Sequence, residues 1–282
     1  MGTVTALHRY PVKSMVGETL TDAVITERGL HGDRMAAVLD EGGMVGSAKH
    51  PRKWGPLLTC RSRLGIGRTI TVQLPDGTEL NAGSPDLDAR LSALLGRRVM
   101  LSHTPPEHGG RLERAVPGYR GGIPDSLRST ASTDTTGATI TSGRAAPGTF
   151  FDFGSLHLVT TATLARLRSA YPVGDFDPRR FRPNIVIDIP GEPSFAEDAW
   201  IGTQLRVGEA LLRAMVPTPR CVVPTLGQDD LPPDPRIMHT VAGEHRIPVL
   251  DLGRLSCVGI YLDVVEPGVV RVGDTVTRVD AR

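Results

Sequence analysis

Residues 68–82 read RTITVQLPDGTELNA, with β-branched and apolar residues alternating with polar ones on both sides of Pro75-Asp76-Gly77. Period-two alternation sends successive side chains to opposite faces of a strand. A Pro-Asp-Gly cluster supplies the fixed φ and the positive φ that a tight turn needs. The stretch therefore predicts a β-hairpin. The same signals recur in both directions. TVTALHRYPV (3–12) alternates like a half-buried strand and is ended by Pro11. RMAAVLDEGGMVGSA (34–48) predicts a hairpin around Glu41-Gly42-Gly43. Further on, PNIVIDIP, the hairpin QLRVGEALLRAMVP, CVGIYLDVV and GVVRVGDTVTRV all read as strands. The apolar run of the hairpin's second arm ends at Val216.

Helices are few. Ser84 caps one, Pro85 opens it, Leu87, Leu91, Leu94 and Leu95 form its buried stripe, and Gly96 stops it. FFDFGSLHLVTTATLARLRSAYP (150–172) reads as a strand running into a helix near Thr160 or Thr161, with Leu164 and Leu167 inward. No βαβ rhythm and no GxGxxG after a strand is present, which argues against a doubly wound nucleotide fold. The predicted class is a strand-rich α+β protein, a barrel or sandwich with a few helices. Residues 117–150 are rich in Ser, Thr, Gly and Ala and poor in large apolar residues. They predict a flexible connector or lid between two halves, 1–116 and 151–282.

The 282 residues can bury an ordinary core, and 32 Lys+Arg against 31 Asp+Glu leaves no basic field for nucleic acid. No apolar run approaches the ~18–20 residues of a membrane span, and the N-terminus reads as strand rather than signal peptide. The three cysteines, Cys60, Cys221 and Cys257, form no CxxC and no disulfide framework. Together these predict a cytoplasmic, reducing setting. Only Lys13, Lys49 and Lys53 are lysines, so a lysine at a special place is informative.

Cys60 and Cys257 lie in apolar runs and read as core filler. Cys221 differs. PTPRCVVPTLG (217–227) sets it after two prolines and beside Arg220, whose guanidinium favours the thiolate. A cysteine nucleophile needs a histidine base, and His157, His239 and His245 stand in no recognisable protease or transferase context. Two readings remain: a metal or cofactor ligand, or a persulfide carrier. RYPVKSM puts Lys13 and Ser14 at a strand end; GLHGDR puts Arg34 after two glycines; RRFRPNIVI puts Arg182 and Asn184 at a strand mouth; LVTT adds Thr160 and Thr161 at a helix start. Cations beside amide and hydroxyl donors suit a multiply anionic ligand. The adjacent carboxylates of FAEDAW, Glu197 and Asp198, read as partners of nearby arginines rather than as an acid–base pair.

YPVKSM, GLHGDR, LHLVTTATL, RFRPNIVID, FAEDAWIG, PRCVVPT and VVEPGVVRVGD, in this order from residue 10 to 274, resemble the MOSC family. That family includes the C-terminal domain of molybdenum-cofactor sulfurase and the amidoxime-reducing components. The resemblance implies an N-terminal β-barrel-like domain over 1–116 and a MOSC β-barrel domain over 151–282. It implies molybdopterin as cofactor, Cys221 as molybdenum ligand and catalytic residue, and Lys13, Ser14, Arg34, Arg182 and Asn184 as its grip, with Thr160, Thr161 and Arg220 lining the pocket. The implied activity is reduction of N-hydroxylated small molecules. Electrons would come from a separate ferredoxin- or flavoprotein-type donor, since no cysteine cluster ends the chain. A sulfur carrier holding a persulfide on Cys221, or a non-catalytic cofactor-binding protein, are the alternatives. After RCVVPT the reductase branch continues Val-Asp-Pro, whereas this chain has Leu226-Gly227-Gln228. An acidic group near the metal is thus either lost or supplied by Asp229 or Asp230.

Overall fold

A computed structural model of the protein describes residues 2–116, 128 and 131–279. Its centre is a closed barrel of seven strands. These are β1 (Gly2–Arg9), β2 (Leu156–Thr160), β3 (Ile185–Asp188), β4 (Gln204–Val207), β5 (Ala210–Pro219), β6 (Arg254–Glu266) and β7 (Thr275–Val279). Around the barrel the order is β2-β3-β1-β7-β4-β5-β6, and β6 pairs back onto β2. Closure leaves no open edge for another chain to extend. Inward residues, among them Val4, Leu7, Leu158, Ile185, Leu205, Leu212 and Ile260, form one fully buried core. Each such large side chain contributes about 1.5–3 kcal/mol relative to exposure.

The strand-rich α+β reading holds, with a barrel rather than a sandwich. One pairing departs from it. β2 and β3 are parallel, with Leu158 opposite Ile185, and the helix Thr161–Ala170 makes the crossover. This single βαβ unit has no repeat to announce it, because antiparallel neighbours flank it on both sides. β1 also crosses the expected domain boundary: it lies between β3 and β7, so both ends of the chain build the barrel.

The N-terminal layers pack around a second core. Ile70–Gln73 pairs with Glu79–Asn81, as the opening stretch predicts, and also with Arg61–Leu64. The helix Pro85–Leu95 lays Leu87, Leu91 and Leu95 against Trp54, Leu57 and Val72, and Gly96 ends it at φ 63°. The turn at Glu41-Gly42-Gly43 forms, but its leading strand, Ala37–Asp40, pairs with Val99–Ser102 instead of making a full hairpin. Likewise, 268–279 divides: Gly268–Arg271 pairs with Asp22–Thr26 while Thr275–Val279 is β7.

Of the expected connector, 117–127 and 129–130 lie outside the described residues. Residues 131–150 are not a featureless loop. Ala131–Thr133 and Thr139–Arg144 are strands that extend Arg111–Ala115 into a three-stranded sheet. The sheet buries only a few apolar side chains, Leu112 and Ile140 among them, so composition alone concealed it. Among the described residues no helix is long and apolar enough to cross a membrane.

Candidate functional site

Cys221 follows the end of β5. The strand runs on to Pro219, past the break expected at Val216, and its register against β6 shifts at Pro217–Pro219. Prolines lack the ladder donor, and such irregular strand ends are where they are tolerated. The Arg220 N–H donates to Ser256 O at 2.8 Å and fixes the loop. Cys221 is a free, half-buried thiol against Ala48, Leu58 and Val223. Cys60 and Cys257 are fully buried, and burial pushes their thiols up to about 11 and about 12. They are core residues, as the sequence indicates.

A pocket at this mouth of the barrel gathers Lys13, Ser14, Arg34, Lys49, Arg182 and Arg220 around Cys221, with Ser47, Asp152, His157, Phe181 and Tyr261 completing its wall. Lys13 Nζ donates to Phe150 O at 2.7 Å and to Asp152 Oδ1 at 2.8 Å, and Lys49 Nζ meets Asp152 Oδ2 at 2.9 Å. Ser14 Oγ accepts from the Ala48 N–H at 3.0 Å. Arg34 pairs with buried Asp33. Two guanidinium groups lie over the Tyr10 ring, Arg182 at 4.2 Å and Arg34 at 5.2 Å from its centroid. Arg182 Nη1 donates to Met15 O at 2.8 Å, and Arg220 Nη2 to Phe181 O at 2.7 Å. Among the described residues, buried Arg182 Nη2 and Arg220 Nε have no protein acceptor. An unpaired buried donor on a cation is costly unless something fills the site.

The backbone is strained at the same place. Ser14, Arg34 and Arg182 have φ of 65°, 46° and 54°. Left-handed φ costs non-glycine residues about 1–3 kcal/mol each and clusters at binding sites. Here all three of these residues line one cavity.

Five cations face two carboxylates, Asp33 and Asp152, a surplus of three positive charges in a chain whose formal net charge is +1. Burial lowers Lys13 to about 8 despite Asp152. Burial and the neighbouring Arg34 lower Arg182 to about 10, so it stays charged at neutral pH. Burial opposes ionisation of Asp152, but Lys13 and Lys49 hold its carboxyl well below the usual range. His157 Nε2 lies 3.0 Å from Val258 O, which only accepts, so that nitrogen carries the proton. Burial lowers His157 to about 3 and keeps it neutral. The pocket is therefore built for an anion.

Six sequence-predicted residues, Lys13, Ser14, Arg34, Arg182, Arg220 and Cys221, meet in this pocket. Thr160, Thr161 and Asn184 do not line it. Thr160 caps the helix Thr161–Ala170, accepting from the Thr163 N–H at 3.1 Å and donating to buried Glu197 at 2.9 Å. The Thr161 hydroxyl bonds Asp188. Asn184 ties strands together: its Oδ1 accepts from the His157 N–H and its Nδ2 donates to His8 O. It positions His157 rather than facing the cavity. Asp229 and Asp230 do not supply an acid beside Cys221, because they pair with Arg61 and Arg179 and line a separate groove. Glu197 and Asp198, by contrast, pair with no arginine among the described residues: Glu197 bonds Thr160 and Thr163, and Asp198 bonds His245 at 2.7 Å. Asp152 and Tyr261 escaped the sequence reading, since nothing in their spacing marks them, and His157 was weighed there only as a base for Cys221. Lysine scarcity was the available signal, because two of the three lysines converge on Asp152.

Among the described residues His50, Glu113 and Asp134 also lie close enough to hold a cation. Lys53 already occupies the place of a cation there, with Nζ 2.7 Å from Glu113 and 3.5 Å from Asp134.

Residues 1–95 match the family model described as the MOSC N-terminal beta barrel domain, and residues 148–277 match the MOSC domain. Mitochondrial amidoxime-reducing component 1 of Mus musculus is 27% identical over 294 residues, covering 98% of this chain and 82% of that protein. Mitochondrial amidoxime reducing component 2 of Homo sapiens is 26% identical over 294 residues, covering 99% and 84%. Among solved structures, the YuaD protein from Bacillus subtilis aligns at a TM-score of 0.41 and 11% identity, covering 98% of this chain and 93% of that one. YiiM from Geobacillus stearothermophilus aligns at a TM-score of 0.31 and 15% identity, covering 45% and 55%.

Proposed function

The chain belongs to the MOSC-domain family, and from that premise we propose that it is a molybdenum-cofactor-binding oxidoreductase that reduces N-hydroxylated or N-oxygenated small molecules. The observation that carries this reading is the two orphaned guanidinium donors, Arg182 Nη2 and Arg220 Nε, in a pocket with a surplus of positive charge around a half-buried thiol. A phosphorylated pterin offers the acceptors these donors lack, and a soft thiolate suits a sulfur-ligated metal. The names of the curated relatives point to amidoxime reduction in those proteins.

In this reading Lys13, Ser14, Arg34, Arg182 and Arg220 would hold the cofactor, and Cys221 would complete the metal's coordination. When bound, the cofactor supplies the two-electron chemistry that cleaves an N–O bond. The chain's own residues position and insulate. Asp33 and the Tyr10 ring fix Arg34 and Arg182, so little ordering remains to be done on binding. Ala48, Leu58 and Val223 keep water from one side of the Cys221 sulfur. Neutral His157 adds no charge at the wall, while Lys13 Nζ can release a proton near pH 8 beside Asp152. Electrons would arrive from a separate ferredoxin- or flavoprotein-type donor, in a cytoplasmic setting that suits three free cysteines.

The test is molybdenum content by plasma mass spectrometry on wild type and Cys221→Ser, both purified from a molybdate-fed host. Near-stoichiometric metal in wild type that falls in the variant, together with benzamidoxime reduction by a chemical reductant, is the expected result. Wild type free of molybdenum would overturn the proposal and return Cys221 to the persulfide reading.

A further inference from the structure

Beside the basic pocket runs a second cavity of different character. Its walls include Phe153, Val216, Val249, Leu250, Leu252 and Leu255. Phe153, Leu250 and Leu252 are 56%, 69% and 63% exposed, a concentration of large apolar side chains that water does not favour. Leu250 and Leu252 sit in the turn between the strand Arg246–Pro248 and β6, and Leu250 is held at φ 48°. An apolar residue in a strained conformation, turned outward, is one the fold does not need for its own core.

The two cavities share Lys49, Asp152, Pro219 and Tyr261. A line of rings joins them: Phe153 lies 5.6 Å from Tyr261, and Tyr261 lies 5.9 Å from His157, which faces the basic pocket. Gly154 permits this wall, since a Cβ there would come within 2.8 Å of the Tyr261 ring. The groove thus ends two residues from Cys221, at Pro219.

We propose that this groove is the substrate channel, and that it selects amphiphilic substrates whose aromatic or alkyl body lies along Phe153, Leu250 and Leu252 while the N-oxygenated head reaches Cys221. The inference rests on the reductase reading for the identity of the head group. The apolar body follows from the groove alone. A ligand lying in the groove covers exposed apolar surface and brings its polar end to the shared rim of Lys49, Asp152 and Tyr261, beside the cofactor pocket, which is how small-molecule sites divide affinity from orientation.

The experiment compares benzamidoxime with 4-phenylbenzamidoxime by isothermal titration calorimetry on the oxidised holoenzyme, without reductant. The extra ring should tighten binding to wild type by about tenfold. In the Leu250→Ser/Leu252→Ser variant, and separately in Phe153→Ser, the ratio of the two affinities should collapse towards one. All three positions are exposed, so the variants retain the fold's core. A ratio near one in wild type, or a tenfold ratio that survives both variants, would overturn the proposal. So would a concentration-dependent dimer dissolved by the same substitutions, which would assign the groove to a second copy of the chain. Molybdenum content and reduction of hydroxylamine, which has no apolar body, report separately on the reductase reading. Metal and hydroxylamine turnover with a ratio near one would sink the channel alone. A tenfold ratio lost in the variants, in protein without metal or turnover, would sink the reductase reading alone.

Discussion

Thr160→Val separates a structural role from a cofactor contact, and its cost can be worked from the geometry. Valine keeps the shape and removes the hydroxyl. The helix Thr161–Ala170 then loses its cap, the 3.1 Å bond from the Thr163 N–H, worth about 1 kcal/mol. Buried Glu197 loses a donor at 2.9 Å, worth roughly 1–2 kcal/mol. The sum, about 2–3 kcal/mol, corresponds to a drop in Tm on the order of 5–10 °C for a chain of this size. A pH signature should accompany it. Burial raises the Glu197 carboxyl, and the Thr160 and Thr163 hydroxyls counter that by stabilising the charged form. The bond lost in the variant is thus strongest when Glu197 is ionised, and the deficit should be larger at pH 8 than at pH 4.5. Thermal melts at the two pH values, with molybdenum measured on the same samples, decide the matter. Thr160 lies outside the pocket, so metal content should stay near the wild-type level. Wild-type melting with molybdenum lost would refute the reasoning and put the hydroxyl on the cofactor.

Three further outcomes follow from the same geometry. Lys13 is lowered to about 8 by burial, so phosphate affinity measured by calorimetry should fall as pH rises through 8. The cofactor-free protein should gain stability between pH 8 and 10.5, because the unfolded chain still holds the proton that the folded one has released; Lys13→Met should remove both effects. His245 bonds Asp198 at 2.7 Å and Cys257 O at 3.0 Å, two acceptors that together call for the imidazolium. Burial works against that charge, but these bonds raise the pKa above 6.5, so stability is fully present below pH 6.5 and is lost as pH rises through the folded value. His245→Gln should flatten that decline in urea titrations. Gly259→Ala should destabilise by about 3 kcal/mol or more, because φ is 72° and a Cβ would stand 2.2 Å from Leu158 O and 2.6 Å from His157 Nε2. A loss below about 1 kcal/mol would mean that β2 and β6 can move apart there.

The sequence by itself determined the residue types and those elements whose signals are local, but not the strands of 131–144 or the helix Arg236–Glu244. Alternation around Pro75-Asp76-Gly77 was enough for a hairpin, and Ser84, Pro85 and Gly96 were enough to bound a helix, because these signals act through φ, ψ and side-chain direction within a few residues. The proline-framed Cys221, and cations at turn positions, were legible for the same reason. Tertiary structure decided everything that depends on pairing between distant residues. Neither the placement of β1 between β3 and β7 nor the parallel pairing of β2 with β3 leaves a local trace, since ladder bonds join strands far apart in the chain. Asp152 becomes the counter-ion of Lys13 and Lys49 only through folding, which brings together residues far apart in the chain. Thr160 looked like an anion donor at a helix start, and folding turned its hydroxyl inward to Glu197 instead. A side chain's chemistry is written in its residue type, but its partner is set by which strands close the barrel. That choice rests on burying apolar faces across the whole chain, which no short stretch contains.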